Sequence, residues 1–213
     1  VCSSDLALLP GLASGETIAA YALTSGLTAT AQGDGLVVSG EIRAVPAAAQ
    51  ASLLVVPADD RWVVLDTAGL QIDPVQSVDP LHPVAHVRAD AVPVAADRVL
   101  TGLTHPHARA LITTLLSAEC VGVARWATDT AAGYAKIREQ FGRPIGSFQA
   151  LKHRMSDLYV KVSAARSIVN DALADPTPTN ASLARYMATE AFNAVAGEAI
   201  QMHGGIAITW ESD

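Results

Sequence analysis

The chain has 213 residues, of which 50% are hydrophobic and 16% are charged, and its formal net charge at pH 7 is -7. This composition is typical of a globular chain with a substantial core, and the acidic balance argues against general binding to DNA or RNA, which usually needs a basic face. Charged residues, histidine or proline interrupt every apolar stretch, so we predict no membrane span, and two widely separated cysteines, Cys2 and Cys120, favour a reducing, cytoplasmic location.

The first half of the chain has β character, after an opening segment at residues 8–15 that is typical of the end of a helix. Gly33-Asp34-Gly35 lies between two short apolar runs and predicts a hairpin. The spacing of short strands and turns favours a compact antiparallel barrel or sandwich. The runs predicted as strands are residues 17–24, 27–31, 36–39, 52–56, 62–66 and 84–90.

The second half of the chain has helical character from His105 onward. Residues 108–141 contain no proline and predict one long helix, which Gly142 and Pro144 would end. Ser147 is the predicted N-cap of a second helix, whose apolar side chains recur at steps of four and three. This stripe is suited to a helical bundle and consists of Leu151, Met155, Leu158, Val162, Ala165, Ile168 and Ala172.

A third helix is predicted after the proline-containing loop at residues 175–178. Thr179 or Asn180 would cap its start, and Gly204-Gly205 would stop it after about His203. A bundle would need one more helix, so we expect the chain to be truncated at both ends.

Two motifs in the helical half resemble the C-terminal domain of acyl-CoA dehydrogenases. The first is Tyr-Ala-Lys-Ile-Arg-Glu-Gln-Phe-Gly-Arg-Pro-Ile-Gly-Ser-Phe-Gln at residues 134–149, and the second is Gln-Met-His-Gly-Gly-Ile at residues 201–206. Residues 20–24, 35–40, 82–87 and 97–100 resemble the middle domain of the family more loosely. The resemblance implies an α+β fold in which a small antiparallel β-barrel precedes an up-down helical bundle. The implied domains are a remnant of an N-terminal helical domain (1–16), a β-barrel (17–102) and an incomplete helical bundle (103–213).

The resemblance also implies an FAD-dependent enzyme of lipid metabolism that desaturates an acyl-CoA thioester and forms homo- or hetero-oligomers, dimers or tetramers. Arg138 would pair with the pyrophosphate of FAD held by a neighbouring subunit, and a guanidinium fork suits phosphate oxygens. The other cofactor-binding residues that it implies are Gln140, Phe141, Gln149, Gln201, Met202, His203, Gly204, Gly205, Tyr21, Leu23 and Thr24.

Each of these residues also has a purely structural interpretation. Arg138 could compensate the dipole at a helix C-terminus, and Phe141 could belong to the core. Gln149 could be an exposed helical side chain, the segment 201–205 an ordinary helix C-cap, and the segment 21–24 part of a strand core.

The sequence departs from the family pattern in its β half. Ser25-Gly26 is followed directly by Leu27-Thr28, so the loop that reaches the flavin in the family is missing or shortened. Ala44 and Pro46 stand where the family often has an aromatic residue and a threonine against the flavin.

We name no catalytic base. In the family, a glutamate usually follows the Gly-Gly turn, so the base is expected beyond Asp213; in some members it lies early in the long helix, where this chain has Ile112. Glu119 is the nearest acid on that helix, and Glu211 is nearly terminal.

Two other functions stay open in the sequence. The chain could be a non-catalytic subunit that completes the FAD site of another chain, which the shortened loop and Ala44 and Pro46 favour. A purely structural bundle is disfavoured, because both helical motifs carry polar residues that packing alone does not require. We predict no metal site, since no cysteine or acidic cluster completes a ligand set around the histidines.

Overall fold

The computed structural model of the protein describes residues 3–24 and 26–209. The chain divides into two compact units, Val1–Ala108 and Arg109–Asp213. The boundary predicted from the sequence lies between residues 102 and 103. Ser25 and Glu211 lie outside the described residues.

The first unit contains a short helix and a mixed eight-stranded sheet. The strand order is β6-β7-β3-β2-β4-β5-β8, and β1 pairs with β4. The sheet is antiparallel except that β4 runs parallel to β1 and, at one residue pair, to β2. The hairpin of β2 and β3 lies between β1 and β4 in the chain, and it provides the long connection that two parallel strands need. The elements are α1 (Ser3–Ser14), β1 (Ala19–Tyr21), β2 (Leu27–Gln32), β3 (Gly35–Pro46), β4 (Leu53–Ala58), β5 (Arg61–Asp66), β6 (Gln71–Val75), β7 (Val84–Val94) and β8 (Val99–Leu100).

The core of this unit is built from side chains of the strands β3, β4, β5 and β7. Alternate residues of β3, among them Leu36, Val38 and Ile42, are buried together with most of β4 and β5. The predicted hairpin is confirmed, because Gln32 pairs with Gly35 and leaves a two-residue turn in which Gly33 has a φ of 58°. Strand β6 was not predicted, because this edge strand is mostly exposed and contains Pro74.

The second unit is formed by three long helices, α2 (His105–Ile137), α3 (Gln149–Ala174) and α4 (Pro178–His203), of which α2 starts in the last residues of the first unit. Two apolar clusters hold them together, one around Ala165 and Ala188 and one around Leu158 and Val195. The small side chains of α3 and α4 allow these helices to pack closely. The predicted stripe of α3 is largely confirmed: Leu158, Val162, Ala165 and Ala172 are buried, and Leu151, Met155 and Ile168 are half-buried.

The predicted end of the long helix is wrong. Helix α2 ends at Ile137, and strands β9 (Glu139–Gln140) and β10 (Arg143–Pro144) form a small antiparallel hairpin. Phe141 and Gly142 form its two-residue turn with φ values of 56° and 76°. Two successive residues in the left-handed region cannot continue a right-handed helix, which is why α2 stops before them.

The predicted caps of the other two helices are also displaced. The Ser147 hydroxyl donates to the Pro144 carbonyl at 2.7 Å, and α3 begins after Phe148 instead. Helix α4 is capped by Thr177, whose hydroxyl oxygen accepts from the Asn180 N–H at 3.2 Å, with Pro178 as its first residue. The predicted end at His203 is confirmed, with Gly204 at the C-cap and a φ of 67°.

By length and composition alone, α2 could cross a membrane. Its residues Val121 and Ala124, however, are buried in the two apolar clusters that α2 shares with α3 and α4. We therefore assign α2 to the bundle.

Candidate functional site

The β9–β10 hairpin places Arg138 at the end of α2. Its backbone N–H donates to the Tyr134 carbonyl at 2.9 Å, and its carbonyl accepts from the Ile145 N–H at 2.8 Å. These two bonds fix the backbone on both sides of the side chain. Arg138 itself is exposed, and within residues 3–24 and 26–209 its guanidinium has no carboxylate within ion-pair distance.

Phe141 lies at the tip of this hairpin and is 92% exposed, so its interpretation as a core residue is wrong. Its ring meets the Phe148 ring edge-on at 6.1 Å, and the Arg143 guanidinium lies 4.1 Å from the centre of the Phe148 ring. Edge-on rings and a cation over an aromatic face are both favourable, so the tip is a supported structure and not a loose loop.

The two glutamines of the first motif are exposed and form local bonds. The Gln140 amide donates to the Glu139 carbonyl at 2.9 Å. The Gln149 amide lies 2.9 Å from Nε2 of His153, one turn further along α3. Both amides can exchange these exposed bonds for bonds to a ligand.

The second motif forms the end of α4. Gln201, Gly204 and Gly205 are exposed, whereas the Met202 side chain is buried in the core of the bundle. A Cβ atom added at Gly204 or Gly205 would meet no atom within 4 Å. The main chain here is therefore open to close approach by a ligand.

An aromatic stack joins the two motifs. The His203 ring stacks on the Tyr134 ring at 4.4 Å and 26°, and His203 Nδ1 lies 2.7 Å from the Ala199 carbonyl. Tyr134 also bonds through its carbonyl to Arg138, so the stack brings the end of α2 against the end of α4. Both motifs thus lie at one end of the helical unit.

A cavity of about 230 Å³ lies beside this stack, between α2 and α4. Its lining is mostly apolar and includes Trp126, Phe192 and Ile200, with His203 at one side. The sequence alone predicted neither this cavity nor the contacts of Tyr134, Arg143 and Phe148. The only signal for the latter three was their position within the first motif.

The third predicted segment lies in the sheet unit. Tyr21 is in β1, Tyr21 and Leu23 are half-buried, and Thr24 is exposed. Ala22 anchors the segment, since its N–H donates to the Val55 carbonyl at 3.2 Å.

Ala44 and Pro46 are exposed on β3. Ala44 lies at an irregularity of the β3–β7 register, has a φ of 54°, and donates its N–H to Nδ1 of His86 at 3.2 Å. A residue in this left-handed conformation breaks the alternation of side chains along the strand.

The two positions on α2 considered for a catalytic base differ in burial. Glu119 is exposed on α2, and Ile112 is half-buried. Over the part of the chain that the structure describes, no three His, Cys, Asp or Glu side chains come together as metal ligands. Besides His153 and His203, three histidines have structural partners: His82 pairs with Asp79, His86 accepts from Ala44, and His105 accepts from Trp62.

Comparison with known proteins decides the family. Residues 108–213 match the family model described as the acyl-CoA dehydrogenase C-terminal domain. Acyl-CoA dehydrogenase IpdE2 of Mycobacterium tuberculosis is 41% identical over an alignment that covers 97% of this chain and 65% of the relative. The chain belongs to the acyl-CoA dehydrogenase family.

Solved structures of the family share this fold. The Tcur3481–Tcur3483 steroid ACAD superposes with a TM-score of 0.87 at 30% identity, over 99% of this chain and 63% of that one. The ChsE4–ChsE5 complex of Mycobacterium tuberculosis gives a TM-score of 0.83 at 27% identity, over 93% and 59%. The α+β class is thereby confirmed for this member of the family. The chain spans less than two thirds of the length of these relatives, namely 65% of IpdE2, 63% of the steroid ACAD and 59% of the matched chain of the ChsE4–ChsE5 complex.

Proposed function

We propose that this acyl-CoA dehydrogenase is an FAD-dependent oxidoreductase that desaturates an acyl-CoA thioester between its α and β carbons. In this proposal, the end of the helical unit binds the pyrophosphate of FAD held by a neighbouring subunit in a cytoplasmic dimer or tetramer. The observation that carries the proposal is the Tyr134–His203 stack, because it unites Arg138 with the Gly204-Gly205 turn.

The residues at this end have the chemistry that a dinucleotide phosphate needs. Arg138 offers a planar fork of N–H donors without a competing carboxylate partner among the described residues. The exposed amides of Gln149 and Gln201 can add donors, and the open main chain at Gly204 and Gly205 lets phosphate oxygens approach. When bound, FAD supplies the acceptor for the hydride that leaves the β-carbon.

The role of Arg138 is tested by Arg138→Ala, with Arg166→Ala as the control. Arg166 is an exposed arginine of α3, so its loss removes the same charge from the same unit. We expect Arg138→Ala to weaken FAD binding about ten-fold or more, as loss of a charge-assisted bond does, with an unchanged far-UV circular dichroism spectrum. The measurement is the ratio of flavin absorbance to protein in purified samples dialysed against increasing volumes. An unchanged ratio would remove the pyrophosphate role.

A second function is favoured by the sheet unit. The connection from Thr24 to Leu27 is short, and the exposed residues Ala44 and Pro46 offer neither an aromatic ring nor a hydroxyl to a flavin. A non-catalytic subunit that completes the FAD site of a different chain would need the contacts at the end of the helical unit. It would not need flavin contacts from its own sheet unit. The likeness to the ChsE4–ChsE5 complex, whose name contains two proteins, supports this alternative.

Expression distinguishes the two functions. A protein that is yellow when expressed alone and purifies as a homo-oligomer supports the catalytic function. A colourless protein that becomes yellow only with a co-expressed homologue supports the partner function. Because one similar structure is a steroid ACAD, a steroid-derived acyl-CoA thioester is the first substrate to compare with straight-chain thioesters.

A further inference from the structure

A polar cleft lies in the helical unit, between the first turns of α2 and the first turns of α4. It encloses about 430 Å³. Positions 109, 113 and 116 of α2 follow steps of four and three, and positions 182, 185 and 186 of α4 follow steps of three and one, so each set lies on one helix face. The residues that line it are Arg109, Thr113, Leu116, Ser182, Arg185 and Tyr186.

The charged side chains that line this cleft are all positive. Two guanidinium groups line it and no carboxylate does. Arg43, Arg98 and Arg154, by contrast, each lie within 4 Å of a carboxylate oxygen. Arg109 and Arg185 form no such ion pair among the residues that the structure describes; Arg185 instead points Nη1 toward Sγ of Cys120 at 3.7 Å. Two like charges on one cleft repel, and an anion between them would remove that cost.

The hydroxyl groups that line the cleft indicate which class of anion it can bind. Tyr186 is 63% exposed and offers an O–H donor next to Arg185. The Ser182 hydroxyl already donates to the Pro178 carbonyl at 2.7 Å, so it is left to accept and cannot add a donor. A set of two guanidinium forks and a phenol suits the several oxygens of a phosphate group.

The cleft is distinct from the predicted FAD contacts. Arg109 lies in the second turn of α2, whereas Arg138 follows its last residue, Ile137. A helix of 33 residues rises about 50 Å from end to end. One FAD pyrophosphate cannot span that distance, so the two arginine sites need separate ligands.

We propose that the Arg109–Arg185 cleft binds the dianionic phosphate group of a small molecule, independently of the FAD site. The phosphate can come from free inorganic phosphate or from a phosphate ester such as the one on coenzyme A. Arg109 and Arg185 grip the phosphate oxygens, Tyr186 donates a further bond, and binding weakens as salt screens the charges.

The test is isothermal titration calorimetry of the full chain at low ionic strength, with inorganic phosphate and coenzyme A as separate probes. Arg109→Gln and Arg185→Gln are the test variants, and Lys161→Gln, which removes one charge from an exposed position of α3, is the control. We expect each arginine variant to weaken binding about ten-fold or more and the control to change it less than about two-fold.

The two probes identify the source of the phosphate. Sensitivity to both arginine variants with both probes means that the phosphate group alone is recognised. Sensitivity with one probe only assigns the cleft to free phosphate or to the ester. The proposal would be overturned if neither probe bound, if both arginine variants left binding unchanged, or if Lys161→Gln caused an equal loss.

Arginine-to-lysine variants keep the test valid if a glutamine variant does not fold. Arg109→Lys and Arg185→Lys preserve the charge but lose the planar fork. They are expected to weaken phosphate binding several-fold with unchanged circular dichroism. The proposal would also be overturned if both lysine variants, and every glutamine variant that folds, bound phosphate as tightly as the parent protein.

Discussion

A hydrogen bond from a buried tryptophan ties the sheet to the residue that starts α2. Trp62 is 2% exposed, and its indole N–H donates to Nδ1 of His105 at 3.0 Å while the two rings meet edge-on at 5.4 Å. An indole has only this one polar group, so a buried tryptophan depends on its acceptor.

We predict that His105→Ala lowers the free energy of unfolding by about 1–3 kcal/mol, the usual cost of leaving a buried donor without a partner. Urea denaturation followed by circular dichroism measures the change. His107→Ala is the matched control, since His107 is exposed two residues further along α2. Equal effects of the two substitutions would show that the Trp62 bond contributes nothing specific.

A pH dependence is expected from Glu41 on β3. Its side chain bonds to Arg43 at 3.3 Å and to Arg88 at 3.4 Å, and these two bonds hold the pKa of Glu41 below its ordinary value of 4.5. A carboxyl whose pKa is lower in the folded state stabilises the fold above the unfolded-state pKa and loses that contribution as the pH falls through the folded-state value.

We therefore predict that Glu41→Gln destabilises the protein slightly at pH 7 and not at all once the pH is below the lowered pKa of Glu41. The side chain is exposed, so the effect should be small and should shrink in high salt. Thermal unfolding of both proteins across pH 3–7 measures it. A difference in stability that stays constant down to the lowest pH would contradict the ion-pair explanation.

At the scale of elements, a pair of glycines lets the start of β2 approach β3 closely, next to an irregularity of the β3–β7 ladder. Gly40 has a φ of 136°, and a Cβ atom there would lie 2.1 Å from the Gly26 carbonyl oxygen. The Glu41 N–H donates to that same oxygen at 3.1 Å, so the contact cannot simply open. Only glycine satisfies both the conformation and the space.

Opposite effects are predicted for two glycine-to-alanine substitutions. Gly40→Ala should cost about 2 kcal/mol or more, because the new methyl group adds strain and a backbone clash. Gly133→Ala should instead stabilise by about 0.5–1 kcal/mol, since Gly133 is exposed within α2 and a Cβ atom there meets nothing within 4 Å. Chemical denaturation of both variants provides the comparison, and a loss of stability in both would contradict this assignment of roles.

Elements with a strong apolar period were predictable from the sequence, and those defined by a few backbone angles were not. The apolar stripe from Leu151 to Ala172 predicted α3, because apolar residues recur at helical spacing along the buried face of the helix. The end of α2 was misplaced because Arg138, Glu139 and Gln140 all have good helix propensity, although residues 139 and 140 pair in a hairpin whose turn has positive φ at Phe141 and Gly142. The parallel pairing of β1 and β4 joins residues more than 30 positions apart, which no local pattern records.

The candidate site follows the same division. Arg138 and Gly204 could be chosen from motifs, but their proximity depends on the Tyr134–His203 stack, whose partners are 69 residues apart (203 minus 134). No sequence motif indicates the cleft at Arg109 and Arg185, because its residues come from two helices that are far apart in the sequence. Sequence thus identified chemistry-bearing residues, and packing decided which of them meet.

At the scale of the whole molecule, the two compact units have separate cores. The core of the sheet unit includes Leu54, which is fully buried, and one core of the helical unit includes Leu158, which is 4% exposed. None of the three apolar clusters found among the described residues contains residues of both units. A cavity in one core should therefore weaken mainly its own unit.

We predict that Leu54→Ala and Leu158→Ala each cost about 2–5 kcal/mol locally, as buried leucine truncations do, and that they act on different parts of the chain. In hydrogen exchange followed by mass spectrometry, Leu54→Ala should accelerate amide exchange in β3, β4 and β5 while α3 and α4 keep the rates of the parent protein. Leu158→Ala should do the reverse. If either substitution accelerated exchange equally in both units, the chain would unfold as one cooperative body, and the separate cores would not be separate units of stability.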